Sequence, residues 1–226
     1  MVDNFSIEIL LGRVIGLVIG FSLHEWAHAW AAYQLGDQTA YRQGRLTLNP
    51  RAHIEPIGLI LAIFAGFGWA KPVPVNPYAF YPNEKRGIVL VALAGPVMNL
   101  IIALLVGLVV RFMLLTGAID LYLGQWLIIE SDVTRFFYHV IEAVLVFNLV
   151  LCFFNLLPFS PLDGYKIATG VLPREYSDLL IKYERETTLA LILLLVIGAM
   201  GRFSPLWAVL GPPIKFFFKL FTSIPY

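Results

Sequence analysis

The chain has 226 residues, of which 59% are hydrophobic and 14% charged, with a formal net charge of +1 and a mean hydropathy of +0.78. A soluble domain is about 45–50% apolar and about 25% charged, so this composition excludes an ordinary soluble core and makes a lipid bilayer the natural solvent for much of the chain. With no basic excess and no acidic tail, nucleic acid is not an expected partner. Cys152 is the one cysteine, which excludes an intrachain disulfide framework and a cysteine-based zinc site; it reads as a small apolar residue in a hydrophobic run.

The first apolar segment runs from about Ile7 to Tyr33, interrupted by Arg13, His24, Glu25 and His28. Met1–Ser6 before it carries no positive n-region, and the run outlasts a signal h-region, so a retained membrane segment is expected rather than a cleaved signal peptide. No lipidation motif is read at either end. The second segment, about Ile57 to Trp69, is short and contains Gly58, Gly66 and Gly68. The stretch that follows, Lys71-Pro72-Val73-Pro74-Val75-Asn76-Pro77, has prolines at alternate positions, which favour extended backbone. Ile57–Pro82 is therefore predicted to be a re-entrant element followed by an extended strand or hairpin. Such backbone is tolerated at membrane depth where it packs in protein or lines a wet cavity.

The third segment spans about Gly87 to Leu115, the fourth Phe136 to Leu157, the fifth Thr188 to Gly201 and the sixth Leu206 to Phe221. A crossing helix needs roughly 20 residues, which segments one, three and four supply. The fifth is short unless it begins near Tyr183, and Pro212, Pro213, Lys215 and Lys219 weaken the sixth. The predicted fold is an all-α polytopic membrane protein, a bundle of about five to six transmembrane helices with a re-entrant, extended element between the first two long ones. It is read as one membrane-embedded domain over residues 1–226, with a core at about 7–172 and additional C-terminal helices over 173–226.

Charge placement orients the bundle. If the second segment re-enters, Arg42, Arg45, Arg51, Lys71, Lys85 and Arg86 share one side with Arg174, Lys182 and Arg185, while the loop from Thr116 to Arg135 has Arg135 alone. The positive-inside rule then places the basic side in the cytoplasm.

His24-Glu25-Trp26-Ala27-His28 fits the pattern H-E-x-x-H. Residues four apart on a helix share a face, so both imidazoles can hold one zinc. The glutamate lies about 100° round from the first histidine, where it can take a proton from a water that the metal activates. Three ionisable residues in an apolar run are costly if unpaired in lipid, which favours function over the alternative of a polar contact between packed helices.

A tetrahedral catalytic zinc takes a third protein ligand and keeps one position open. Among acids with apolar flanks, Asp163 in Asn155-Leu156-Leu157-Pro158-Phe159-Ser160-Pro161-Leu162-Asp163-Gly164 is the candidate, following a crossing segment that two prolines break. The alternative for Asp163 alone is an Asp-Gly turn.

H-E-x-x-H together with Asn155-xx-Pro158-xx-Pro161-Leu162-Asp163-Gly164 resembles the site-2 protease family of intramembrane metalloproteases. Thr47–Gly58, Trp69–Pro77 and Ala94-Gly95-Pro96-Val97-Met98-Asn99 resemble its small bacterial and archaeal members, in family order from about residue 20 to 172. The resemblance implies one Zn2+ held by His24, His28 and Asp163, with Glu25 as general base. It also implies Asn99 and Asn155 near the site, hydrogen-bonding substrate backbone or its oxyanion; their alternative is interhelical bonding. It implies a multi-pass protein of a prokaryotic cell membrane whose site opens to the cytoplasm, and membrane-protein substrates cleaved in or near a transmembrane helix. The PDZ or cystathionine-synthase-like domains that some members carry have no room in this chain.

Val73 and Val75 are read as an edge strand that holds unwound substrate by β-addition. His53 is a candidate accessory residue, as gate or fourth ligand, with an interfacial histidine bonded to a neighbour as the alternative; His139 is read as interfacial. Gly95-Pro96 and Gly107 are read as small faces for close helix approach. The rival function is a non-proteolytic zinc-binding membrane protein, a transporter or chaperone. Transport would need polar residues spread along a path, whereas here they converge on one set.

Overall fold

A computed structural model describes residues 7–65, 68–122, 126–129, 131–200 and 204–226. Met1–Ser6, Gly66 of the second apolar segment and Gly201, the expected end of the fifth, lie outside the described residues. In chain order come α1 (Ile7–Gln34), the short α2 (Thr39–Arg42), a 3-10 turn at Pro50–Ala52, α3 (Pro56–Ala65), a second 3-10 turn at Pro77–Phe80 and α4 (Glu84–Leu115). Two short strands follow, β1 (Asp120–Tyr122) and β2 (Trp126–Ile128), and then α5 (Asp132–Asn155), α6 (Asp163–Val171), α7 (Arg174–Lys182), α8 (Glu184–Met200) and α9 (Pro205–Thr222). The all-α expectation holds apart from the antiparallel β1–β2 ladder, which joins α4 to α5 and had no signature in the apolar pattern.

Among the described residues, three helices are long and apolar enough to cross a membrane: Leu10–Gln34 within α1, α4 and α5. They are also the helices that pack most extensively on one another. Gly12, Gly16 and Gly20 recur every fourth residue on α1, and a Cβ on each would run into Ala143, Val144 and Leu151 of α5 respectively. This small-residue stripe lets the two backbones approach closely, the usual basis of helix association where lipid removes the hydrophobic drive. The pairs rise together in sequence, so α1 and α5 run parallel. His24 meets Asn99 while His28 meets Val91, so α4 runs antiparallel to both.

The bundle is apolar outward and polar inward. Along α4, Val97, Ile101, Leu105, Leu108 and Phe112 are exposed, whereas Ala92, Gly95, Asn99, Ala103 and Gly107 are buried. A soluble helix would reverse that pattern; one with apolar residues on both faces suits a bilayer. On the far side of α5, α9 packs against α5 and α4 through Leu210, Ile214, Phe218 and Phe221, closing the largest core cluster with Leu145 and Leu149.

The helix limits have local causes. The Ser131 side chain accepts from Thr134 N–H and caps α5, starting it four residues before the apolar run does. α8 starts at Glu184, near the Tyr183 start that would lengthen the fifth segment. α3 has 10 residues, so it is about 15 Å long, half the apolar thickness of a bilayer.

Beyond α3, one isolated bridge pairs Ile54 with Ala70, and Lys71 N–H donates to His53 C=O at 2.7 Å. Residues 71–76 then run extended beside α1 without a second strand. Three side chains fasten them there. Arg45 donates to Lys71 C=O, Glu25 accepts from Val73 N–H at 3.0 Å, and Asp37 accepts from Asn76 N–H at 2.7 Å.

Candidate metal centre

His24 and His28 lie one turn apart on α1, with their rings edge to face and centroids 4.6 Å apart. Asp163 comes from the first position of α6, where the unpaired N–H groups and helix dipole favour a carboxylate. α5 ends at Asn155, and the prolines at 158 and 161 prevent it from continuing, so the chain turns and delivers Asp163 to the histidines. His24 Nε2 lies 3.1 Å from Asp163 Oδ2, His28 Nε2 lies 3.0 Å from the same oxygen, and the two Nε2 atoms are 3.0 Å apart. All three residues are buried, and they are the one group of metal-capable donors among the described residues.

The protonation of this group follows from its outer contacts. His28 Nδ1 lies 2.7 Å from Val91 C=O, which can only accept, so Nδ1 carries a proton, and in the neutral ring Nε2 offers a lone pair. His24 Nδ1 lies 2.6 Å from Asn99 Oδ1, whose amide is turned that way because its Nδ2 donates to Gly20 C=O at 3.2 Å. His24 Nε2 is therefore also a lone pair. With each Nδ1 turned to an acceptor, the two Nε2 atoms and the Asp163 carboxylate, buried and facing one another, can all offer lone pairs to one cation. Their spacing suits one: ligand atoms at about 2.0–2.1 Å on a tetrahedral zinc are about 3.3 Å apart. The residues fit the metal, and the imidazole N–H contacts to Val91 and Asn99 are the kind of support that metal-binding histidines need.

Helix α4 lies directly over the donors. A Cβ on Gly95 would sit 2.5 Å from His28 Nε2 and 2.6 Å from His24 Nε2. The Gly95 face read from sequence as an approach to another helix thus admits the imidazoles themselves. Lys166, one turn along α6, reaches Asp163 Oδ1 at 3.4 Å from a half-exposed position. It was not singled out in sequence, where an i,i+3 pair of an acid and a lysine is unremarked on any helix.

A cavity of about 530 Å³ opens beside the centre, lined by His24, Glu25, His28 and Asp163 together with Val73, Val75 and Asn155. That volume lies within the range of ligand sites, about 300–1,000 Å³. Glu25 is buried at its wall. Asn155 Nδ2 donates to Leu151 C=O one turn back. Asn99 lies behind the histidines with no exposed surface.

His53 is buried outside the donor group, its Nε2 donating to Thr47 C=O at 2.7 Å, and its Nδ1 has no partner among the described residues. His139 bonds Glu142 at 3.4 Å near the opposite end of α5.

H-E-x-x-H donors gathered with a buried carboxylate beside a cavity are the arrangement expected of a zinc metalloprotease. The chain belongs to peptidase family M50, whose model matches residues 12–199. It is 39% identical over 220 residues to YwhC of Bacillus subtilis, covering 97% of this chain and 95% of that protein. It is 28% identical over 193 residues to Rip2 of Mycolicibacterium smegmatis, covering 84% and 68% of the two chains. With MJ0611 of Methanocaldococcus jannaschii it shares 31% identity over 166 residues, 73% and 72% of the two. All three relatives carry the name of candidate zinc metalloproteases. No solved structure was found to match the chain. The family expected from the motifs is the family found, and its cofactor is Zn2+.

Proposed function

We propose that this protein is an intramembrane endopeptidase that cleaves membrane proteins in or near their transmembrane helices, with His24, His28 and Asp163 as zinc ligands and Glu25 as general base. The observation that carries the reading is the convergence of three buried metal-capable donors inside a bundle whose outer face is apolar. His28 and His24 precede the α1 terminus, Gln34, by 6 and 10 residues, which puts the centre about 9–15 Å from that helix end. Peptide bonds at that depth belong to membrane-embedded chains.

Zinc, when bound, supplies Lewis acidity toward the scissile carbonyl and acidifies a water to a pKa of about 7. Glu25 takes the proton from the water as its oxygen attacks the carbonyl carbon, and then returns it to the leaving amine nitrogen. Val73 and Val75 pair with locally unwound substrate backbone along the cavity wall, and Asn155 offers a polar contact to it. With Gln34, Glu84 and Asn155 all at one end of the antiparallel bundle, the site opens to the basic, cytoplasmic side. α3 re-enters without crossing, α8 and α9 add two crossings to the three long helices, and all of them form one domain.

The test is Glu25→Gln in protein reconstituted with a helical membrane substrate. Zinc content should stay at one per chain, and cleavage should fall to background. Undiminished cleavage would sink the assignment. A transporter or chaperone would retain zinc handling in the same variant and never yield a cleaved product.

A further inference from the structure

Asn148 lies on α5 in the middle of an apolar run, with no exposed surface and no access to the cavity. Its Nδ2 donates to Val144 C=O one turn back, at 2.8 Å. Val144 C=O can only accept, so this bond settles which way the amide lies and directs Oδ1 across to α4. There Oδ1 accepts from Asn99 Nδ2 at 3.0 Å. Asn99 Nδ2 donates its other proton to Gly20 C=O, and Asn99 Oδ1 faces His24 Nδ1.

We propose that Asn148 and Asn99 form a positioning relay, running from the α5 backbone through two amides, that holds His24 in the one tautomer whose Nε2 can bind zinc. The inference rests on the reading of His24 as a zinc ligand. Neither amide touches substrate or the metal; both act through the imidazole.

The relay works because each link has one satisfactory orientation. Were the Asn99 amide to flip, its oxygen would face Gly20 C=O and Asn148 Oδ1, three acceptors together with no donor. Its NH2 would face His24 Nδ1, which would then have to accept, moving the ring proton to Nε2 and blocking the metal position. A buried polar group left without its partner loses its hydration with nothing to replace it. Gly20 C=O supplies one such penalty against the flip and Asn148 supplies a second. The relay also spans all three long helices. Gly20 and His24 come from α1, Asn99 from α4 and Asn148 from α5, so a single chain of bonds ties the imidazole to the bundle's packing.

Zinc dissociation constants, measured by chelator competition on purified full-length protein, provide the test. Asn99→Leu should weaken zinc binding about 10–100-fold, the range for loss of a ligand's outer hydrogen bond. Asn148→Leu should weaken it several-fold. Asn148→Asp, whose neutral carboxyl keeps an acceptor toward Asn99 and a donor toward Val144, should restore wild-type affinity. The double variant Asn99→Leu, Asn148→Leu should bind zinc no more weakly than Asn99→Leu alone, because Asn148 acts through Asn99. The visible spectrum of the cobalt-substituted protein should change in Asn148→Leu, which a purely structural role would not cause.

Folded Asn148→Leu protein with wild-type zinc affinity and cobalt spectrum would overturn the relay, as would additive losses in the double variant. If Asn148→Leu does not fold, Asn148→Ala is read the same way. His24→Ala separates the two levels. If it leaves zinc affinity intact, the ligand assignment itself fails; if it abolishes binding while the asparagine variants do not matter, the relay alone fails.

Discussion

Single atoms decide the chemistry of this protein. In the proposed centre, His24 and His28 present Nε2 to the metal because Asn99 and Val91 face the other ring nitrogen. Gly95 matters through what it lacks. A methyl group there would press on both Nε2 atoms, and overpacking of this kind costs about 1–3 kcal/mol. Gly95→Ala is therefore expected to weaken zinc binding about tenfold, read by metal analysis of purified protein against free zinc; unchanged affinity would mean that α4 gives way instead. Lys166→Ala should have a smaller effect, since its contact to Asp163 is half-exposed and screened by solvent. His24, Glu25, His28 and Asp163 were all legible in the chain because ionisable residues stand out in apolar runs. Asn148 carries the same kind of signal, a polar side chain within the fourth segment, but one amide in a long apolar run has no motif around it. Asn99, for which substrate contact and interhelical bonding were both open, has no exposed surface and lies within hydrogen-bond distance of His24 Nδ1.

At the scale of elements, the extended strap from Lys71 to Asn76 is the part whose role depends most on its neighbours. Pro72 and Pro74 have no N–H, so Val73 and Val75 carry the pairing groups of that stretch. One of these, Val73 N–H, is bonded to the Glu25 carboxylate. Val73→Pro should leave zinc binding intact and lower kcat/KM for a helical substrate about tenfold or more, since it removes a hydrogen bond to a charged group, worth about 1.5–3 kcal/mol. A photo-crosslinker at Val73 or Val75 should capture substrate in the Glu25→Gln protein, and failure at both positions would count against β-addition. The alternating prolines announced the extended backbone. The partners, Glu25, Asp37 and Arg45, could not be read, because hydrogen bonds across 26 to 48 residues leave no local pattern. The amphipathic nine-residue α6 and α7 have no membrane-length apolar run to announce them, although α7 falls within the 173–226 stretch expected to be helical.

The whole molecule places the centre near one end of the bundle, with Lys85 and Arg86 at the start of α4 on that side. Orientation is checked with single cysteines in a Cys152→Ser background. Cysteines replacing Lys85 or Arg174 should be shielded from a membrane-impermeant maleimide in intact cells, and one replacing Thr116 should react. The reverse pattern would turn the site outward. Zinc removal should also lower the thermal midpoint in detergent, because a ligand at 100 times its dissociation constant adds about 2.7 kcal/mol to folding; an unchanged midpoint would mean that the three donors are held without the metal.

The membrane character, the three long helices and the candidate donors of the centre were all readable along the chain. Composition, run length and the H-E-x-x-H spacing are local properties that survive in one dimension. How α1, α4 and α5 run relative to one another, how Asp163 meets two histidines 135 and 139 residues away, and which amide faces the His24 ring emerge only in the packed fold. Those outcomes depend on close backbone approach at Gly12, Gly16, Gly20 and Gly95 and on buried donors that must each find an acceptor. Both requirements apply to pairs of residues brought together by packing, and neither is written at any single position.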